Sequence, residues 1–306
     1  MDFKMISRKI CQICPIRVLK SNNLMKSKIR NPKSKIVIGC QGWNYNDWTT
    51  KAGGESIFYP RGIKANEMLK LYAEVYDSIE VDSTFYAIPP ASSIENWYKK
   101  TPENFTFSLK LPQEITHTHA LRETAFVMTD EFCERVRELK EKLGVVLIQL
   151  PPQFEANKSN AQALREFLAW LPNDIRFAVE FRERSWMIDW TFEELEKNKV
   201  SLCLTEGNWI PREMFFEAIP KLKNDFGYVR FMGERDLTAF DKIYRHEDTK
   251  LEIWKSEIEN LAAKDIFICF SNFFEGHAPA SVNKLKKMFG QTLIDVKELE
   301  SQGSLF

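Results

Sequence analysis

The 306-residue sequence predicts a single (β/α)8 barrel of the TIM type. Eight short apolar runs recur along the chain, at residues 36–38, 78–81, 105–109, 145–149, 176–180, 200–204, 228–231 and 266–270. Most are separated by segments of helical periodicity, the alternation that builds a closed parallel sheet. Nearly every run ends in a charged or amide side chain, and barrels of this class carry their active sites at the carboxyl ends of the strands.

Between the first and second runs lies a long connection, residues 40–63, and two more follow the third and eighth runs at 111–129 and 271–279. Long βα connections build pocket rims in barrels. Several helices carry capping-box signatures, a Ser/Thr followed three residues on by Glu/Gln. Ser92 with Glu95 opens the helix towards Lys100, and Ser159 with Gln162 opens the one ending at Leu171. Thr191 with Glu194 and Thr249 with Glu252 open two later helices. A helix from about Asp130 to Leu143 shows apolar Phe132, Val136, Leu139 and Leu143 at helical spacing, with Gly144 turning the chain into the next strand. Residues 207–227, which contain Pro211 and Pro220, leave room for only a short helix.

The expected organisation is a basic extension over residues 1–35, the barrel over 36–290 and a tail over 291–306. Net charge is zero, but residues 1–35 hold ten Lys/Arg against one acid, Asp2, which leaves the remainder acidic. An acidic barrel is a poor electrostatic partner for extended nucleic acid. The leader has neither the apolar core nor the cleavage site of a secretory signal. It reads as an extension outside the barrel, with Met25 an alternative start, or as a basic arm for nucleic acid. Its Cys11–Cys14 pair is a lone C-x-x-C that cannot complete a zinc site. Cys40, Cys133, Cys203 and Cys269 read as buried free thiols, which implies a reducing, cytoplasmic setting. No apolar run approaches the roughly 18 residues of a membrane span.

Strand parity sharpens the candidate site. Glu80 and Asp82 share one face of the second strand, and Glu180 and Arg182 share one face of the fifth. Glu80 and Glu180 are the candidate acid–base pair, one holding a proton while the other stays ionised. Lys110 and Arg230 would balance their charge or bind an anionic group. The alternative is a buried ion network that fixes the barrel top. Candidate substrate-binding residues are Trp43, Asp82, Tyr86, His117, Gln149, Arg182, Trp186, Asn272 and His277. The three aromatics among them offer stacking surfaces, and His117 and His277 lie in loops that belong at the same face. No phosphate loop and no G-x-S-x-G elbow is present, and no cofactor is predicted. A divalent metal held by His117, Glu180 and Asp82 or Glu206 is the rival arrangement, without a supporting ligand spacing.

These motifs resemble one family. Gly39-Cys-Gln-Gly-Trp43 leading to Phe58-Tyr-Pro60, then Glu80-Val-Asp-Ser-Thr-Phe-Tyr86, are similar to the opening of the YecE-like family, the domain of unknown function 72. The resemblance continues through Trp97 and Thr101–Lys110, Ile115-Thr-His117, Gln149-Leu-Pro-Pro152 and Val179-Glu-Phe-Arg182 with Ser185-Trp186. It ends with Tyr228-Val-Arg230 and Phe270-Ser-Asn272 followed by Gly276-His-Ala-Pro279. It implies a single TIM barrel over roughly residues 36–290 and implies no particular reaction. Two positions depart from the family pattern: Met232 stands where a histidine is usual, and Ser271 where an asparagine is.

The expected function is a barrel enzyme acting by acid–base chemistry on a polar, sugar-like or anionic small molecule. A metal-dependent phosphoesterase or nuclease acting on nucleic acid and a non-catalytic ligand-binding barrel are the alternatives.

Overall fold

The computed structural model describes residues 34–49, 58–296 and 299. The basic leader, with Cys11 and Cys14, lies outside the described residues. Eight parallel strands close into a barrel in sequence order. They are β1 (Lys35–Gln41), β2 (Ser78–Val81), β3 (Thr106–Lys110), β4 (Leu143–Gln149), β5 (Arg176–Glu180), β6 (Ser201–Glu206), β7 (Phe226–Phe231) and β8 (Asp265–Phe270). All eight expected strands are present. β8 pairs with β1 along six residues, from Lys35 beside Asp265 to Cys40 beside Phe270, and so leaves no free sheet edge.

Both faces of each strand are covered, which is why the strands read as near-continuous apolar runs. Alternate side chains divide into two cores. Val37, Val145, Leu147, Ala178, Cys203, Tyr228 and Phe267 fill the barrel interior. Ile38, Ile79, Phe107, Val146, Val179 and Ile268 point outwards into the layer beneath the helices. The interior parity continues upwards into polar residues at the carboxyl ends.

The outer layer comprises α1 (Ala65–Val75), α2 (Ala91–Lys100), α3 (Thr124–Val136), α4 (Lys158–Trp170), α5 (Asp189–Lys197), α6 (Arg212–Ala218) and α7 (Asp248–Ile258). After β8 come a single turn, α8 (Asn272–Glu275), and α9 (Ala278–Met288). The two prolines do confine α6 to seven residues. The capping boxes place their helices correctly but not their first residues. Ser92, Ser159, Thr191 and Thr249 all lie inside helices that begin one to two residues earlier. The α4 cap is Asn157, whose side chain accepts the Asn160 N–H at 3.0 Å. A Ser-x-x-Glu spacing also fits neighbouring positions within a first helical turn, so it marks the turn more firmly than the cap.

The helix expected over 130–143 runs instead from Thr124 to Val136, followed by a 3-10 segment, Arg137–Lys142. Gly144 is a strand residue, not a turn. A Cβ there would lie 2.5 Å from the Thr106 methyl, so the glycine is needed for close packing of β3 on β4. Among the described residues, no helix is long and apolar enough to cross a membrane.

Gly39 shows how tightly the barrel closes. A Cβ on this β1 residue would sit 2.0 Å from the Ser78 backbone oxygen on β2, which cannot rotate away. Gly39→Ala should therefore destabilise the barrel by about 1–3 kcal/mol or more, the usual range for overpacking. The shift of the urea unfolding midpoint measures it.

Candidate functional site

The carboxyl ends of the strands carry two stacked polar layers. The lower is fully buried and centres on Arg230, which rises from β7 into the barrel axis with 0% exposure. Its guanidinium grips Glu80 of β2 with two hydrogen bonds, Nε to Oε2 at 2.9 Å and Nη2 to Oε1 at 2.7 Å. Its remaining nitrogen, Nη1, donates to Glu180 of β5 and lies 3.5 Å from the Gln149 side-chain oxygen. The Tyr228 hydroxyl donates to Glu80 at 2.7 Å. Strand register supports the arrangement, with Gln41 beside Glu80 and Gln149 beside Glu180.

Three further charged groups join this layer to the one above. Lys110 of β3 lies 3.4 Å from Glu80 and donates to Asp82, and Gln41 donates to the same Asp82 oxygen at 2.7 Å. Arg182, two residues beyond β5, donates from Nε to Glu180 at 2.8 Å. Glu80, Asp82 and Glu180 thus face Lys110, Arg182 and Arg230, and the connected network is electrically balanced.

This pairing fixes the protonation of the buried carboxylates. Burial acts to raise the Glu180 carboxyl, but the charges of Arg230 and Arg182 and their hydrogen bonds outweigh it and hold it at about 2. For Glu80 burial again opposes ionisation, and Arg230, Lys110 and Tyr228 together keep the carboxyl below its ordinary range. Both groups are ionised at neutral pH, and all four of their oxygens accept hydrogen bonds.

Above this layer opens a cleft of about 450 Å³. Gln41, Asp82, Lys110, Gln149, Arg182, Ser271 and Asn272 rise into it from six of the eight strand ends. Tyr45, Phe85, Tyr86, Gln113, His117, Met232, Arg235, Phe240 and Phe273 complete the lining. Asp82 is the carboxylate among its described lining residues, against the cations Lys110, Arg182 and Arg235. Another cleft, of about 540 Å³, lies at the opposite end of the barrel. Among its charges Arg176 pairs with Asp265 at 3.1 Å and Lys223 with Glu196 at 3.5 Å, and it is remote from the strand carboxyl ends.

His117 sits on one π-helical turn, Glu114–Thr118. Its Nδ1 lies 2.8 Å from the Thr116 hydroxyl and its ring packs edge-on against Phe85. Burial, aided by the nearby Arg182 charge, lowers its pKa and keeps the imidazole neutral. The segment that follows is strained, with positive φ at Ala120 (45°), Leu121 (63°) and Glu123 (25°). Among the described residues, no three His, Cys, Asp or Glu side chains converge to hold a metal ion.

The family described as "Protein of unknown function DUF72" matches residues 37–303. The chain belongs to this family. The DUF72 chain is 27% identical over 299 residues to the UPF0759 protein YunF of Bacillus subtilis, covering 88% of this chain and 96% of YunF. It is 31% identical over 147 residues to the UPF0759 protein YecE of Escherichia coli K12, covering 48% of each. A solved DUF72 protein from Thermotoga maritima superposes with a TM-score of 0.67 at 23% identity, over 84% of this chain and all of that one. One from Enterococcus faecalis gives 0.65 at 21%, over 85% and 99% respectively. These likenesses show the shared barrel.

Of the four residues expected to be catalytic in this DUF72 chain, only Lys110 lines the cleft. Glu80, Glu180 and Arg230 lie beneath it at 0%, 1% and 0% exposure, bound to one another. An acid–base pair in which one glutamate holds a proton does not match two carboxylates that are both held ionised. Asp82, Tyr86, His117, Gln149, Arg182 and Asn272 line the cleft as expected. Three expected ligand contacts do not. Trp186 is buried in a stack with Phe154 and Phe181, and its Nε1 donates to the Phe154 carbonyl. Trp43 packs edge-on against Trp97 outside the lining. His277 caps α9 by accepting the Ala280 N–H through Nδ1, and burial pushes its imidazole down to about 4, so the ring is neutral. Glu206, a proposed metal ligand, faces outwards and accepts the Trp254 indole N–H at 2.5 Å.

Arg235 and Phe240 were not expected in the lining. They come from the connection between β7 and α7, whose residues carry no periodicity. Gln41 and Ser271 do follow from strand parity.

Removing either buried glutamate leaves Arg230 short of charge, which costs about 3–5 kcal/mol when a buried pair is broken. Glu80→Gln and Glu180→Gln should each lose stability on that scale in urea unfolding, whereas Asp82→Asn should lose about 1 kcal/mol or less. Because the Glu180 carboxyl titrates at about 2 when folded, below the ordinary 4.5, its contribution is complete above the unfolded value and disappears as pH falls towards 2. Wild-type stability should fall across that window, with a shallower fall in Glu180→Gln.

Proposed function

We propose that the chain is a barrel enzyme whose upper cleft binds a polar small molecule and transfers protons to and from it. His117 serves as the base and the Asp82–Lys110 pair as the second polar partner. Glu80, Arg230 and Glu180 position these groups from below. The observation that carries this reading is His117 itself: a neutral imidazole lining a polar cleft, on a π-helical turn followed by strained backbone. Strain of about 1–3 kcal/mol per residue persists where the surroundings enforce it and concentrates at functional sites.

With Nδ1 engaged by Thr116, Nε2 remains to accept a proton from a bound substrate. Lys110, anchored by Asp82 and Glu80, is placed to stabilise negative charge on an adjoining oxygen. A confined cleft of about 450 Å³ suits a small molecule better than a duplex. Four buried free cysteines support a cytoplasmic setting.

The full-length protein, incubated with pools of polyols, sugar acids and sugar phosphates, should convert at least one component, as followed by mass spectrometry. His117→Ala should lower that turnover by about a hundredfold or more while the thermal midpoint stays near wild type. The wild-type rate should be full at neutral pH and fall as pH drops below the ordinary histidine range, because only the neutral ring can accept a proton. Turnover insensitive to His117→Ala would contradict the assignment.

A further inference from the structure

We propose that Arg182 is the anchor for an oxyanion group, a phosphate or a carboxylate, on the ligand that the cleft receives, with the Asn272 amide as a second donor across the barrel mouth. This deepens the proposed function and rests on the cleft being the binding site.

Arg182 is held in place before any ligand arrives. Its Nε donates to the buried Glu180 at 2.8 Å, and its guanidinium carbon lies 5.6 Å from the centre of the Trp209 ring. Trp209 is itself half exposed on the connection after β6. The side chain is 9% exposed, and among the described residues its two terminal nitrogens have no protein partner. A planar guanidinium fixed at Nε and stacked on one face presents a fork that matches the two oxygens of a carboxylate or phosphate. Arg235, also on the lining, adds a second positive charge with no ion-pair partner among the described residues.

Asn272 supplies the independent observation. Its Oδ1 accepts two obligate donors, the Trp48 indole N–H and the Ala278 backbone N–H, both at 3.0 Å. That fixes which end of the amide is nitrogen. The Nδ2 group belongs to a cleft-lining residue that is 2% exposed, and its polar neighbour is the Tyr45 hydroxyl, which it meets only as a poorly aligned hydrogen bond. A buried donor so poorly satisfied is costly, and a ligand oxygen would relieve it. β5 and β8 stand three strands apart in the closed barrel, so one ligand with acceptors at both ends would span the mouth. An oxyanion at Arg182 also places the rest of the ligand near His117, which lines the same cleft.

Calorimetric titration of the full chain with inorganic phosphate, and separately with malonate, tests the subsite. Saturable binding of one or both is expected, and the tighter of the two identifies the source of the oxyanion. Arg182→Lys keeps the charge but removes the fork, and it should weaken binding by about tenfold or more. Asn272→Asp keeps the oxygen that Trp48 and Ala278 use but replaces the donor by a repelling oxygen, and it should weaken binding comparably. Should Arg182→Lys fold poorly, Trp209→Ala and Asn272→Asp still decide the matter. Absence of saturable binding to either anion, or binding indifferent to these substitutions, would overturn the subsite. Turnover that is lost in His117→Ala would, in that event, still leave the active-site reading standing.

Discussion

Everything at the top of this barrel depends on one buried cation. Arg230 enters the barrel axis from β7 with no access to water, and a guanidinium cannot remain there unpaired. Glu80 from β2 and Glu180 from β5 meet it, so three strands far apart in sequence are tied through a single planar group. Desolvating such charges is expensive, and well-packed apolar side chains can match or exceed the stability of a buried pair. What the ionic arrangement supplies is direction: each oxygen and nitrogen is held by defined partners.

That direction propagates upwards. Lys110 leans on Glu80 before reaching Asp82, and Arg182 leans on Glu180 before reaching the cleft. The two outward-facing cations are therefore oriented from below by the buried carboxylates Glu80 and Glu180. The same logic holds for Asn272, whose oxygen is fixed by Trp48 and Ala278 so that its nitrogen faces the cleft. Met232 lies on the lining, which places an apolar, adaptable side chain beside these polar groups. The cleft is thus a polar surface built on a rigid ionic base, with aromatic rings of Tyr45, Phe85, Tyr86, Phe240 and Phe273 around it.

Strand positions were legible because strands buried on both faces are apolar throughout, and each run was long enough to stand out. Parity then located the polar layer, since Glu80, Lys110, Gln149, Glu180 and Arg230 all share the inward phase. Parity could not tell which of them reach the cleft. Two residues along a strand separate Glu180, wholly buried, from Arg182, which lines the opening, and that difference in depth is set by the closure of the barrel. Aromatics misled for a related reason. Trp186 and Trp43 lie in loops, where a large ring reads as a stacking surface, yet Phe154, Phe181 and Trp97 enclose them. His277 followed a glycine in a loop and became a helix cap. Arg235 and Phe240 left no trace, because the connection after β7 has no repeat that would reveal which side chains turn inwards.

The claim at the centre of this account is that Glu80 and Glu180 are permanently ionised supports. Carbon-13 NMR of protein labelled at the glutamate side-chain carboxyls, followed from about pH 8 down to about pH 4, tests it directly, with resonances assigned by Glu80→Gln and Glu180→Gln. The account predicts that both signals keep the shift of a carboxylate throughout that range. A signal from either residue that titrates near neutrality would mean that one of them holds a proton, and would return the buried pair to the role of acid and base.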